Sequence, residues 1–139
     1  MFSFMDIINY FRKAKKSESV KPDMANYSIK NHHVYLDNKK IDFYPTDNQS
    51  GEITPKFLVI HFTAGSGDAH QTAKWFQNSA AKASAHINVS EDGTITQNVK
   101  LNEKAWHAGR SNWKNYSGLN SHSIGIEVCN PGPLTITNT

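Results

Sequence analysis

The sequence predicts an α/β domain: a central mixed β-sheet with flanking helices. Three observations predict it. "KFLVIHFT", Lys56 to Thr63, is a near-continuous apolar run of strand length. Directly after it, "AHQTAKWFQNSA" places Ala69, Ala73 and Phe76 on one stripe of a helix. Two more stretches, "SAHINVS" and "SIGIEV", alternate with a period of two. The order is helix, β, β, α, β, β, loop, β, which is that of a mixed sheet with helices packed on it. At 139 residues, 37% hydrophobic and 19% charged, the chain has room for one core and not for two.

In chain order, Phe4, Ile7, Ile8 and Phe11 recur at helical spacing, so residues 3 to 15 read as a short amphipathic helix with a basic end. "SESVKPDMAN" is polar, contains a proline and reads as a linker, which makes 1–26 a helix and linker and 27–139 the domain proper. Weak alternation broken by Asn, Asp, Gly and Pro predicts a strand or hairpin around 33 to 44 and then a loop. The apolar continuity of 56–63 predicts a central strand covered on both faces. Asp68 fits as N-cap of the following helix. Asp92-Gly93, between "SAHINVS" and "TITQNV", predicts a hairpin with a tight primed turn. Residues 102 to 122 read as a loop rich in Trp, His, Gly and Asn, and 123 to 128 as the last strand.

Composition excludes several classes. The net charge of +3 resides in a mixed distribution, and "RKAKK" has no interleaved aromatics, so a nucleic-acid groove is not expected. Cys129 is the one cysteine, which rules out an intramolecular disulfide and a CxxC metal knuckle. Nothing approaches the roughly eighteen apolar residues of a membrane span. Asp6 and Asn9 interrupt the first apolar run and the positive charges follow it, unlike a signal peptide, so synthesis in the cytoplasm is expected.

Strand alternation sorts the chemistry-bearing residues. His61 shares a face with Phe57, Val59 and Thr63 and ends its strand beside the glycine-rich "AGSGD", either as a metal ligand or as a hydrogen-bonded core histidine. In "SIGIEV" one face is apolar and the other carries Ser123, Gly125 and Glu127. Glycine inside a strand lets another group approach the backbone closely. Glu127 is therefore a candidate acid/base facing an open space, with a solvated sheet-face glutamate as the alternative. "AWHAGRSNWKNYSGLN" brings Trp106, His107 and Trp113 into one loop, suited to a sugar or peptide ligand or to capping the core. "AGSGD" lacks the lysine and hydroxyl of a phosphate loop. Cys129 has no evident basic neighbour to activate it.

Taken in order and spacing, "FLVIHFTAG", "KASAHINVSEDGTITQNV", "AWHAGRS" and "LNSHSIGIEVCNPGPL" resemble the zinc-dependent N-acetylmuramoyl-L-alanine amidases, the superfamily that includes peptidoglycan recognition proteins and phage lysozyme-type amidases. The resemblance covers about residues 30 to 135. It implies a mixed sheet with a zinc ion (Zn2+) in a groove at one edge, and hydrolysis of the amide between N-acetylmuramic acid and L-alanine in peptidoglycan or muropeptides. His61 falls on the first zinc ligand of the family. Glu127 falls on the strand glutamate that serves as acid/base in the anhydro-muropeptide branch, whereas other branches use a tyrosine at the position of Ala85. His86, Trp106 and His107 match groove positions near the substrate.

In the family, a second ligand histidine and a third ligand, aspartate or cysteine, lie beyond a further helix downstream of the "SIGIE" strand. The resemblance therefore implies that this chain is the N-terminal part of an amidase domain, incomplete at its C-terminus, with the remaining ligands in a complementing C-terminal fragment. It implies a bacterial or phage origin and action on the cell wall or its fragments. The alternative function is a non-catalytic peptidoglycan-binding module that keeps the aromatic groove.

Overall fold

The computed structural model describes residues 25–65 and 67–130. The expected helix at 3–15 and most of the linker lie outside the described residues, as does the end of the chain from Pro131.

The fold begins with a meander: β1 (Tyr27–Lys30), β2 (His33–Leu36) and β3 (Lys39–Lys40), antiparallel in that order. Its two-residue turns, Asn31-His32 and Asp37-Asn38, hold all four residues at positive φ, between 48° and 63°. That is the primed-turn geometry for which Asn and Asp are tolerated. The three-stranded meander stands where a strand or hairpin was expected around 33 to 44. β4 (Asp42–Phe43) then leaves it for the central sheet, and β5 (Gln49–Glu52) precedes β6 (Phe57–Phe62).

The helix α1 (Ala69–Phe76) forms as expected. Asp68 accepts from the Gln71 backbone N–H at 2.8 Å while Gln71 Oε1 accepts from the Asp68 N–H at 3.2 Å, a complete capping box. Ala69, Ala73 and Phe76 are its buried stripe. β7 (Ile87–Val89) and β8 (Ile95–Gln97) form the expected hairpin, with a different turn. Ser90 N–H donates to Thr94 O at 2.9 Å, only Gly93 takes positive φ, at 88°, and Asp92 Oδ1 instead accepts from the Thr94 N–H. A three-residue loop thus stands where a two-residue primed turn was expected. The expected loop at 102–122 is partly ordered into β9 (Glu103–Ala105), paired with β5, and a small hairpin of β10 (Asn112–Trp113) and β11 (Tyr116–Ser117). β12 (Ser123–Val128) closes the described fold.

The central sheet has the order β4-β8-β7-β12-β6. β12 runs parallel to both neighbours, β7 and β8 are antiparallel, and β4 is parallel to β8, so the sheet is mixed. One face carries the apolar core: Ile87, Val89, Ile95, Ile124 and Ile126 with Val34 of β2, and Tyr27 packs against them. Burying each such aliphatic side chain stabilises by about 1.5–3 kcal/mol. The other face is polar and lies under α1. Thr96 Oγ1 donates to Ala69 O, and Asn98 Nδ2 donates to Ala73 O at 2.9 Å, so the sheet's side chains satisfy helix carbonyls.

The central position expected for β6 is not found. Among the described residues it is the edge strand, bonded on one side to β12. Leu58, Ile60 and Phe62 are 37%, 49% and 61% exposed, although the parallel register puts them on the same face as Ile124, Ile126 and Val128. Apolar continuity reports that a strand has two faces suited to cover, and it does not report which element supplies that cover.

Candidate active site

The last two strands place the site. In the parallel register Glu127 lies beside His61, and Gly125 beside Val59, so the small, small, acidic face of β12 and the histidine face of β6 make one floor. The loop before β12 then lays His107 on that floor. Asn120 Oδ1 accepts from the backbone N–H groups of His107 and Ala108 at 3.1 and 2.7 Å, which holds the loop against the short 3-10 turn Leu119–Ser121.

Three imidazoles converge here. His61 Nε2 and His107 Nδ1 are 3.1 Å apart, and His107 Nε2 is 3.3 Å from Ser123 Oγ. His86 lies behind them with its ring centroid 5.9 Å from that of His107. Burial lowers the pKa of all three. For His86 it reaches about 4, burial outweighing the hydrogen bond to the Glu103 carbonyl. For His107 it also reaches about 4, from burial first and then from the neighbouring His86 and His61. Near neutral pH the cluster is therefore uncharged.

His86 is corrected from a groove residue to a supporting one. It is fully buried, its Nδ1 accepts from the Gly125 N–H at 3.0 Å and its Nε2 donates to Glu103 O at 2.8 Å. A ring with both nitrogens engaged and no exposed surface has nothing left for a substrate. Trp106 is half-buried, and its indole N–H donates to Ser50 Oγ at 3.0 Å, which turns it toward β5.

Glu127 is half-buried, and its Oε2 is enclosed without a hydrogen-bond partner. Burial pushes its carboxyl up to about 7. It opens into a cavity of about 580 Å³ between β12, the β6–α1 connection at Thr63 and Gly65, and the Gln71, Thr72 and Trp75 side of α1. Such a carboxyl holds or releases a proton near neutrality, as a general acid/base requires. Cys129 is buried with its Sγ 3.3 Å from Thr72 Oγ1, and burial pushes its thiol up, so it is inert. Sequence reasoning missed Asn120, which orients the His107 loop, and the α1 wall of the cavity. A signal for that wall was Trp75, an aromatic residue off the stripe of Ala69, Ala73 and Phe76, which the structure leaves 55% exposed.

Among the described residues no group of three or more His, Cys, Asp or Glu side chains is arranged to hold a metal ion, and no helix is long and apolar enough to cross a membrane.

Comparison with known proteins follows the same outline. The family model described as N-acetylmuramoyl-L-alanine amidase matches residues 51–139. The N-acetylmuramoyl-L-alanine amidase XlyA of Bacillus subtilis is 39% identical over 94 residues, which are 63% of this chain and 30% of that protein. The 1,6-anhydro-N-acetylmuramyl-L-alanine amidase AmpD of Haemophilus influenzae is 43% identical over 56 residues, 39% of this chain and 30% of that protein. Among solved structures, the catalytic domain of XlyA superposes with a TM-score of 0.52 at 36% identity, covering 63% of this chain and 58% of that one. A mutant endolysin from Bacillus subtilis gives a TM-score of 0.52 at 32% identity, covering 64% and 61%. The chain thus spans about a third of the curated relatives it matches, 30% of XlyA and 37% of CwlH. With more than half of its residues matched and the mixed sheet shared, the chain belongs to the N-acetylmuramoyl-L-alanine amidase family.

Proposed function

We propose that this chain serves in hydrolysis of the amide bond between N-acetylmuramic acid and L-alanine in peptidoglycan or its muropeptides, with residues 27–139 as the N-terminal part of the catalytic domain. The observation that carries this reading is Glu127, a carboxyl raised to about 7 with an unpaired oxygen at a cavity of about 580 Å³. Its protonation is balanced near neutrality, so Glu127 takes a proton from the attacking water and returns it to the leaving amine. The cavity walls at Gln71, Thr72 and Trp75 orient the substrate by amide, hydroxyl and ring contacts.

Zinc is the cofactor of this reading. The described residues fit one of its coordination positions: His61 is a neutral imidazole with one nitrogen anchored on His107 and the other free of hydrogen bonds, as a zinc-ligating histidine requires. Bound there, zinc would supply Lewis-acid polarisation of the scissile carbonyl. A zinc site uses three or four donors, and we assign the others to a complementing C-terminal segment. Leu58, Ile60 and Phe62 support that assignment, being an exposed apolar strip on the opposite face of the strand that carries His61. The chain is made in the cytoplasm in this reading and acts on wall material.

The test is stem-peptide release from purified muropeptides by the chain supplied with zinc and the complementing C-terminal segment, read by chromatography. Glu127→Gln is expected to lower the rate about 10²- to 10⁴-fold, and an unchanged rate would remove Glu127 from the chemistry. A second reading, a non-catalytic peptidoglycan-binding module, is favoured by the lack of a three-donor cluster among the described residues. Retention on insoluble cell wall that ignores a chelator, with no peptide released by the wild-type chain, would select it.

A further inference from the structure

The hydrogen-bond chain at the site has a direction, and that direction starts at a carbonyl. Ser123 Oγ lies 2.6 Å from Leu119 O. A carbonyl oxygen only accepts, so the serine proton is committed to Leu119. Ser123 Oγ is also 3.3 Å from His107 Nε2. With its own proton used, the hydroxyl accepts at this contact, and His107 Nε2 carries the hydrogen. A neutral imidazole has one N–H and one lone pair, so His107 Nδ1 is left as an acceptor. His61 Nε2, 3.1 Å away, must then donate to it.

We propose that Ser123 and His107 are positioning residues that lock His61 as its Nε2–H tautomer, so that Nδ1 holds the lone pair on the groove side of the sheet. No hydrogen bond to that Nδ1 exists among the described residues, whereas every other nitrogen of the three clustered rings is engaged. The ring of His107 is supported in the relay from two sides. Asn120 holds its backbone, and the α-carbon of Gly125 lies directly beneath the ring.

The consequence concerns any electron-pair acceptor at the groove. An imidazole that must choose its tautomer offers the lone pair of a given nitrogen for part of the time, and the relay makes Nδ1 of His61 available throughout. The free imidazole favours neither nitrogen completely, so orientation by a second group is what makes such a donor reliable. This deepens the zinc reading by naming the donor atom, and it rests on that reading only for the identity of the acceptor.

The test uses the full-length, metal-free, nitrogen-15-labelled chain near neutral pH. Proton–nitrogen correlations of the histidine side chains, together with nitrogen–nitrogen coupling across the hydrogen bond, show which ring carries the shared proton. The expected result is a proton on His61 Nε2 coupled to His107 Nδ1. A proton on His107 Nδ1, or rapid averaging of both rings, overturns the proposal. Two substitutions separate positioning from packing. His107→Leu removes the acceptor and shifts the His61 nitrogens toward the mixed position of a free imidazole. His107→Asn offers an amide oxygen near the lost Nδ1 and retains the locked shifts. If Leu and Asn at this position behave alike, the lock is not made by His107. A locked tautomer in a chain that releases no peptide even with zinc and the complementing segment supplied keeps this inference and removes the amidase reading, and an averaged tautomer in an active chain does the reverse.

Discussion

The imidazole of His107 rests on the α-carbon of Gly125: a Cβ built there would meet His107 Cγ in hard overlap, with Cδ2 at 2.6 Å and Nδ1 at 2.7 Å. The glycine inside the last strand therefore marks a close approach, and the group that approaches is part of the site. Gly125→Ala is expected to push His107 off the floor, with loss of its contact to His61 and an overpacking cost of about 1–3 kcal/mol. Urea denaturation reads the cost and histidine nitrogen shifts read the displacement. Unperturbed shifts would mean that the ring has another resting place.

Stability should fall on acidification. The folded pKa values of His86 and His107 lie near 4, below the ordinary 6.5, so their contribution is present above the unfolded value and is lost as pH falls from 6.5 toward 4. Glu127 acts oppositely. Its folded value near 7 exceeds the ordinary 4.5, so its burial costs most above 7 and the cost disappears as pH falls toward 4.5. Two histidines outweigh one partly exposed carboxyl, and each ring contributes on the order of 1–2 kcal/mol at about pH 5. Glu127→Gln is expected to steepen the acid loss and to stabilise the metal-free chain above neutrality, measured as urea midpoints across that range.

Gln97 ties the meander to the central sheet. Its side chain is fully buried; Oε1 accepts from the Val34 N–H at 3.0 Å, and Nε2 donates to His32 O at 3.0 Å and Val99 O at 2.9 Å. Gln97→Leu keeps the volume and leaves the Val34 N–H and the Val99 carbonyl without the Gln97 partner, each costing about 1–3 kcal/mol, while the His32 carbonyl keeps the Leu101 N–H. Hydrogen exchange at Val34 is expected to quicken more than exchange at Ile126. Equal acceleration at both would mean that the meander and the sheet open as one unit.

The bare strip on β6 and the core beside it should respond differently to truncation. Ile126→Ala, at a fully buried position, is expected to cost about 2–5 kcal/mol. Phe62→Ser, at a side chain 61% exposed, is expected to stay within about 0.5 kcal/mol and to reduce self-association. On the proposal that a complementing C-terminal segment covers this strip, adding that segment makes Phe62→Ser costly, and an unchanged cost would remove the proposed cover.

Legibility differed between elements for physical reasons. Asp68, Ala69, Ala73 and Phe76 state their roles within one helical turn or two, so α1 was readable with its cap. The meander was half missed because Asn31-His32 and Asp37-Asn38 sit between short strands of weak alternation, where two-residue turns are the stronger signal. The faces that Glu127 and His61 occupy were readable because a strand sorts its side chains by parity. The resemblance put His86 in the groove, and only the fold shows that it is fully buried with both nitrogens engaged.

The sequence by itself determined the mixed sheet, the helix with its cap, the family, and the strand faces on which a carboxylate and a histidine stand, because period, turn chemistry and motif order are local properties of the chain. Tertiary structure decided that His107 lies on Gly125, that Ser123 meets His107 and His107 meets His61, that Glu127 is half-buried at a cavity, and that β6 is an edge among the described residues. Those relations join residues up to 66 positions apart in the chain, such as His61 and Glu127. They follow from strand order and register, which packing selects and local pattern does not encode.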